Sequence, residues 1–158
     1  MYTEKDYQTI KNQSKKRLIV LLAPSLLLFV AVIISLLYRV QWLTMLLTIL
    51  VGTYCIFFCG LFLAPVKAYE KHISNALYAK KRTTNGVFKA WDGVKVYREG
   101  VEYCPFMISV GEVSNPEDDR LFYFDANLPK PTWEKGTALT VQSHDKFVAS
   151  WALQNDQA

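Results

Sequence analysis

Two apolar runs without a charged residue, 18–38 and 42–64, stand almost end to end in this chain, with Arg39, Val40 and Gln41 between them. A helix rises about 1.5 Å per residue, so twenty such residues cover about 30 Å, one hydrocarbon core. Residues 18–37 hold 15 Leu, Ile, Val or Phe and no charge. Each apolar residue favours insertion by roughly 0.3–0.6 kcal/mol near the helix centre, against roughly 2.5–3.5 kcal/mol opposing it per charge. The sequence therefore predicts a transmembrane hairpin with spans at about 18–38 and 42–64, within a hairpin segment 18–64. An export signal also begins with a basic cluster such as Lys15, Lys16 and Arg17. That reading fails because the run is too long, no small-residue cleavage site follows, and a second full-length run begins at once.

Charge divides sharply along the chain. Residues 1–17 carry five basic and two acidic side chains, residues 65–82 five and one, and residues 83–158 seven and eleven. Basic flanks at both outer ends of a hairpin place both termini in the cytoplasm of a plasma or inner membrane. The net −4 of the last region argues against nucleic acid, whose backbone calls for a basic stripe. Of the three cysteines, Cys55 and Cys59 lie in the second span and Cys104 beyond it, so no disulfide framework is expected.

Within the second span, Thr44, Thr48, Gly52, Cys55 and Cys59 recur at helical spacing and form a small-residue face. Such faces let membrane helices approach closely. Pro24, Leu28, Ala31 and Ser35 offer the matching row in the first span, and antiparallel pairing sets Ser35 beside Thr44, Ala31 near Thr48 and Leu28 near Gly52. A metal or redox pair at Cys55 and Cys59 is the competing reading, but no His or carboxylate lies at that depth. Pro24 removes a helix hydrogen bond, which Ser25 or a neighbour must compensate. The absence of ionisable residues from both spans argues against a stand-alone transporter.

Pro65 suits the first turn of a helix over 65–83, in which Val66, Tyr69, Ile73 and Leu77 repeat at amphipathic spacing. Two readings stay open for it: a helix on anionic headgroups, or a stalk packed on the following domain. Lys15, Lys16, Arg17, Lys67, Lys71, Lys80, Lys81 and Arg82 are the candidate membrane-surface contacts.

From residue 84 the texture changes to short β-rich pieces. Residues 87–91 and 94–97 flank Asp92 and Gly93, a strong hairpin signal. Residues 101–104, 106–110, 121–125, 138–143 and 147–153 follow, with Pro105 expected at an edge or bulge and His144-Asp145 closing the last turn. About six strands in about 70 residues predict a small OB-like or SH3-like barrel over 84–158. Its expected core is Phe88, Val96, Tyr103, Ile108, Phe122, Phe124, Leu139, Val141, Phe147 and Trp151. The fold class is thus an α+β membrane protein: a cytoplasmic N-terminal segment 1–17, hairpin, juxtamembrane helix and β-barrel.

The order of these segments, with Lys135-Gly136-Thr137-Ala138-Leu139-Thr140-Val141 leading into a closing hairpin, resembles the NfeD-like proteins. Segment 123–129 is similar to a turn in other bacterial membrane proteins with a helical hairpin and an OB-like β-domain. The resemblance implies an accessory or scaffolding role and no transferable active site.

Catalytic chemistry finds little support. Adjacent His144 and Asp145 are a turn before they are a dyad, and Ser109, Ser143, Ser150 and Cys104 sit in no nucleophile motif. Glu117, Asp118 and Asp119, with Asp125, lack the spacing of a calcium loop. No cofactor, metal or catalytic residue is assigned. The expected function is an integral membrane scaffold or accessory protein, oligomeric through its small-residue faces, with a second membrane or cytosolic protein as the alternative partner. A tethered ligand sensor or enzyme using the barrel mouth around Trp133 and His144, the two candidate partner contacts, is the alternative.

Overall fold

The computed structural model describes residues 1–111 and 115–154, so the last four residues of the 84–158 domain lie outside the described part. The chain is α+β: two helices long and apolar enough to cross a membrane, and a six-stranded sheet. It divides into two compact units, Gln8–Glu70 and a second built from Met1–Tyr7 with Lys71–Ala158.

In the first unit, helix α1 (Glu4–Leu37) runs without interruption through Pro24. It therefore continues the first apolar run backwards through most of the N-terminal segment 1–17. Proline lacks the N–H that would bond the carbonyl four residues back, at Val20. The hydroxyl of Tyr54 takes that place, donating to Val20 O at 2.8 Å, while Ser25 Oγ bonds Leu21 O. The helix ends in a Schellman turn: Arg39 N donates to Leu36 O (3.0 Å) and Val40 N to Ser35 O (3.2 Å), with Arg39 in the left-handed region at φ 55°.

Helix α2 (Gln41–Phe58) returns antiparallel. Ser35 Oγ meets Thr44 Oγ1 at 2.8 Å, and both hydroxyls reach Val40 O. Further along, Cys55 Sγ lies 3.8 Å from Ser25 Oγ, and Arg17 donates to Phe62 O at 2.6 Å. A π-helical turn at Cys59–Leu63 leads straight into α3 (Ala64–Tyr78). Pro65 thus opens no separate helix. The wider turn, in which Ala64 N bonds Cys59 O, carries the chain past the proline without a break.

The sheet comprises β1 (Arg82–Trp91), β2 (Val96–Arg98), β3 (Val101–Ser109), β4 (Asp119–Asp125), β5 (Ala138–His144) and β6 (Phe147–Leu153). Its order is β1-β5-β6-β4-β3-β2, and β1 also pairs with β3, so the ladder returns to its starting strand. All pairs are antiparallel except the β4–β6 pair, joined at Tyr123 and Phe147. Strand β1 serves both neighbours by pairing with β5 over its first half and β3 over its second. Gly86 sits at that corner because a Cβ there would meet Ser109 O at 2.5 Å.

Two local expectations are corrected. Asp92 and Gly93 join β1 to β2 but do not close a hairpin, since β2 pairs with β3. The Trp91 end of β1 is already paired with β3, and the tight turn forms instead at Glu99 and Gly100, each at positive φ (48° and 82°). Pro105 is neither an edge nor a bulge but lies inside one continuous strand β3, paired with Tyr123. It stands where β3 exchanges β2 for β1 as its neighbour, so no ladder bond requires its missing N–H; the bulge lies in β1, between Phe88 and Ala90.

The core gathers Phe88, Phe106, Ile108, Phe122, Phe124, Leu139, Val141 and Val148, with Trp91, Trp133, Trp151, Leu128 and Leu153 packed against it. Phe106 and Val148 are additions to the expected set. Val96, Phe147 and Trp151 are partly buried, and buried Tyr103 stands outside this cluster, against His72 and Phe147.

Candidate functional site

In the second unit a buried chain of hydrogen bonds joins four residues distant in sequence. Asp125, at the end of β4 and 1% exposed, receives Asn127 N and Nδ2 on Oδ1, both at 2.9 Å. The pair forms an Asx turn that fixes the carboxylate. Tyr2 donates its hydroxyl to Asp125 Oδ2 at 2.7 Å and stands 2.9 Å from His72 Nε2. On the other side of the ring, His72 Nδ1 lies 3.0 Å from the Tyr103 hydroxyl.

Donor logic orders these contacts. Tyr2 gives its only proton to the carboxylate, so it accepts from Nε2–H of His72. Nδ1 then carries the lone pair and accepts from Tyr103. Each group of the chain has the partner its proton requires, with a neutral imidazole in the middle. Burial holds the His72 pKa below the usual histidine range, against the opposing pull of Asp125 and Glu99. Burial likewise raises the Tyr103 phenol. Rings enclose His72: Tyr2, Tyr103 and Phe147 meet it edge-on at 5.3–6.1 Å between centroids.

The surrounding sequence explains the placement. His72 occupies the apolar stripe of α3, next to Ile73 and one turn before Ala76, all three buried. On the other side, Thr3 and Asp6 cap the start of α1 reciprocally: Thr3 N donates to Asp6 Oδ2 at 2.9 Å and Asp6 N to Thr3 Oγ1 at 3.3 Å. The Thr3 bonds hold the exposed Asp6 carboxyl below its ordinary pKa. Tyr7 packs edge-on against Tyr78, and Glu4 accepts from the Tyr78 hydroxyl. Residues 1–7 are thus fastened to the second unit at several points. A histidine in an apolar helical stripe was the one signal of this network in the sequence.

The sequence-predicted residues are placed as follows. Thr44, Gly52 and Cys55 are half-buried, whereas Thr48 and Cys59 are exposed; Ser35 is buried and Ala31 half-buried. Lys15, Lys16, Lys67, Lys71, Lys80, Lys81 and Arg82 are exposed, Lys71 pairing with Glu99 at 3.5 Å. Arg17 is half-buried against Phe62 O. Trp133 packs into the end of the core, stacked on Trp91 (5.1 Å between centroids, 10° between planes) and edge-on to Trp151 at 5.0 Å. Its Nε1 is buried and meets no acceptor among the described residues. His144 lies away from that cluster, at the β5–β6 turn, with Nδ1 3.2 Å from Lys80 O. Asp119 pairs with Lys89 at 2.7 Å and stands at the opposite end of β4 from Asp125. Six residues of strand separate the two by about 20 Å, too far to share one ion. Among the described residues no group of three or more His, Cys, Asp or Glu converges as a metal site.

Compared with protein-family models, with curated proteins and with solved structures, the chain gives no match.

Proposed function

We propose that this chain is a two-span membrane anchor that holds a small OB-like β-barrel on the same side as its N-terminal segment and serves as a scaffold or accessory subunit. The observation that carries this reading is the second unit itself. Residues 1–7 and 71–158 fold together, and Tyr2 bonds Asp125 and His72. Both flanks of Gln8–Glu70 must then share one compartment, which requires an even number of crossings. Two helices are long and apolar enough to supply them.

The exposed faces of those helices support insertion. Leu26, Leu27 and Ile56 are 67–75% exposed among many similar neighbours, an apolar area far beyond what a water-facing monomer ordinarily shows. Basic flanks favour the cytoplasm for both ends, with Lys15, Lys16, Lys67, Lys80 and Lys81 free to meet anionic headgroups. The self-returning ladder with one parallel β4–β6 pair supports the OB-like barrel. Exposed Thr48 and Cys59 offer small residues for a second copy of the hairpin.

Protease protection of the full chain in sealed inside-out vesicles tests the topology. Tags at both ends should be cleaved together. Protection of one tag alone would overturn the hairpin. Cross-linking across a range of protein-to-detergent ratios tests assembly, and a monomer throughout would remove the scaffold reading.

A further inference from the structure

The turn between β5 and β6, at Asp145 and Lys146, is a shared wall of two clefts in the second unit. One, of about 610 Å3, carries Arg82, Arg120 and Lys146 on its walls. The other, of about 450 Å3, carries Arg98 and Lys146 above Tyr123 and Phe147. The same walls carry carboxylates, Asp119 and Asp145 in the first cleft and Glu99 and Asp145 in the second, each with a cationic or imidazole neighbour. Asp119 is engaged by Lys89 at 2.7 Å, Glu99 by Lys71 at 3.5 Å, and Asp145 lies 3.9 Å from His144 Nε2.

Among the described residues, no carboxylate lies within ion-pair distance of Arg82, Arg98, Arg120 or Lys146. Arg98 has only the Tyr123 ring beneath it, at 4.7 Å to the centroid. That stack covers one face of the guanidinium and leaves its edge donors to the cleft. Four cations therefore gather around one turn, three of them in the stretch 83–158 whose net charge is −4 and Arg82 immediately before it. In each cleft the cations outnumber the one lining carboxylate that no lysine or arginine engages, Asp145, and an excess of one sign concentrates the opposite sign in a ligand. Three of the four are arginine, whose planar fork matches phosphate oxygens two at a time, with Lys146 as an added point charge. The surrounding negative charge disfavours a long polyanion and favours a compact one.

We propose that these adjoining clefts bind a compact phosphomonoester or diphosphate group through Arg82, Arg98, Arg120 and Lys146, supplied by a soluble metabolite or by an anionic lipid headgroup. This site stands independently of the hairpin topology.

The test uses the full chain in nanodiscs of neutral phosphatidylcholine, titrated with inorganic pyrophosphate by calorimetry at near-physiological salt, with sulfate as control. Saturable pyrophosphate binding is expected, weakened at least about tenfold in R120Q/K146Q, which removes two charge-assisted contacts. R98Q should weaken it less, and K130Q, whose ammonium stacks on Trp91 at 4.4 Å, should leave it unchanged. All these side chains except Lys130 line the clefts and none enters the core, so near-UV circular dichroism should be unaltered. In nanodiscs containing about a tenth phosphatidic acid, a lower apparent pyrophosphate affinity would identify the lipid as the source; an unchanged affinity would identify a soluble ligand. No saturable binding, equal binding by sulfate, or indifference to both R120Q/K146Q and R98Q would overturn the site.

Discussion

The two units use their polar groups in opposite ways. In Gln8–Glu70 the apolar side chains face outward, and the polar contacts are single hydroxyl, thiol or guanidinium bonds across the helix pair: Ser35 to Thr44, Tyr54 to Val20 O, Arg17 to Phe62 O. In the second unit the apolar side chains face inward, and polar groups are buried only as a connected chain from Tyr103 through His72 and Tyr2 to Asp125. The difference teaches what each unit's solvent rewards. Where burial drives folding, a lone polar group is costly and networks must be complete. In the apolar surroundings proposed for Gln8–Glu70, isolated bonds would be enough to locate one helix on another.

Replacement of Phe106, fully buried in β3, should produce the largest effect. F106A is expected to destabilise the second unit by about 3–5 kcal/mol, whereas L27A on the exposed face of α1 should change unfolding in detergent by less than about 0.5 kcal/mol. Denaturant unfolding of the full chain, followed by tryptophan fluorescence, reads both; equal costs would erase the contrast.

Breaking the buried chain comes next. Y2F leaves His72 Nε2 and Asp125 Oδ2 without the tyrosine hydroxyl, an expected loss of about 1–3 kcal/mol. Amide exchange should quicken over residues 3–7 before it quickens in β3. If it does not, contacts other than the Tyr2 hydroxyl, those of Tyr78 among them, hold residues 1–7.

In the hairpin the corresponding cut should be milder. Y54F frees the Val20 carbonyl opposite Pro24 at a cost of about 0.6–2 kcal/mol. The cost should vanish in a P24A background, where residue 24 regains an amide to bond that carbonyl. A double-mutant cycle showing no coupling would detach Tyr54 from the proline.

The gentlest probe is pH. The folded pKa of His72 lies below its unfolded value near 6.5, so on acidification the unfolded chain takes up a proton that the folded chain resists. The contribution of His72 is fully present above about pH 6.5 and declines as pH falls toward the lowered folded pKa. Tyr2, Tyr103, Asp125 and Glu99 are the polar groups that face it. Melting temperature should therefore fall between neutral and mildly acid pH in the parent chain and less steeply in H72Q; parallel slopes would exclude His72.

Much of the architecture is legible in the sequence because it rests on local patterns. Uncharged runs mark both long helices, and Ser35 meets Thr44 where an antiparallel register requires. The seam drifts further on, because every fourth residue of a helix advances about 40° beyond a full turn. Thr48 consequently turns away while Leu43, Leu47 and Val51 turn inward. Strand positions were readable, but partners were not: Asp92 and Gly93 carry a hairpin's residues, and the pairing of the Trp91 end of β1 with β3 prevents one. Trp133 looked like a loop side chain, since nothing in the prolines beside it signals Trp91 and Trp151. The His72 chain was hidden most completely because it joins positions 2, 72, 103 and 125, and a sequence pattern reports neighbours.

The Tyr2 to Asp125 bond spans 123 positions. At a synthesis rate of about 5–20 residues per second, Tyr2 leaves the ribosome about 6–25 s before its carboxylate partner exists. On the proposed hairpin topology both apolar helices would be inserted in that interval while residues 1–7 stay uncommitted. Closure of the second unit is therefore a late event, available only to chains whose two flanks have stayed on the same side. On the proposed hairpin topology the tyrosine hydroxyl would act as a check on delivery: a chain threaded the wrong way would leave Asp125 and His72 without it.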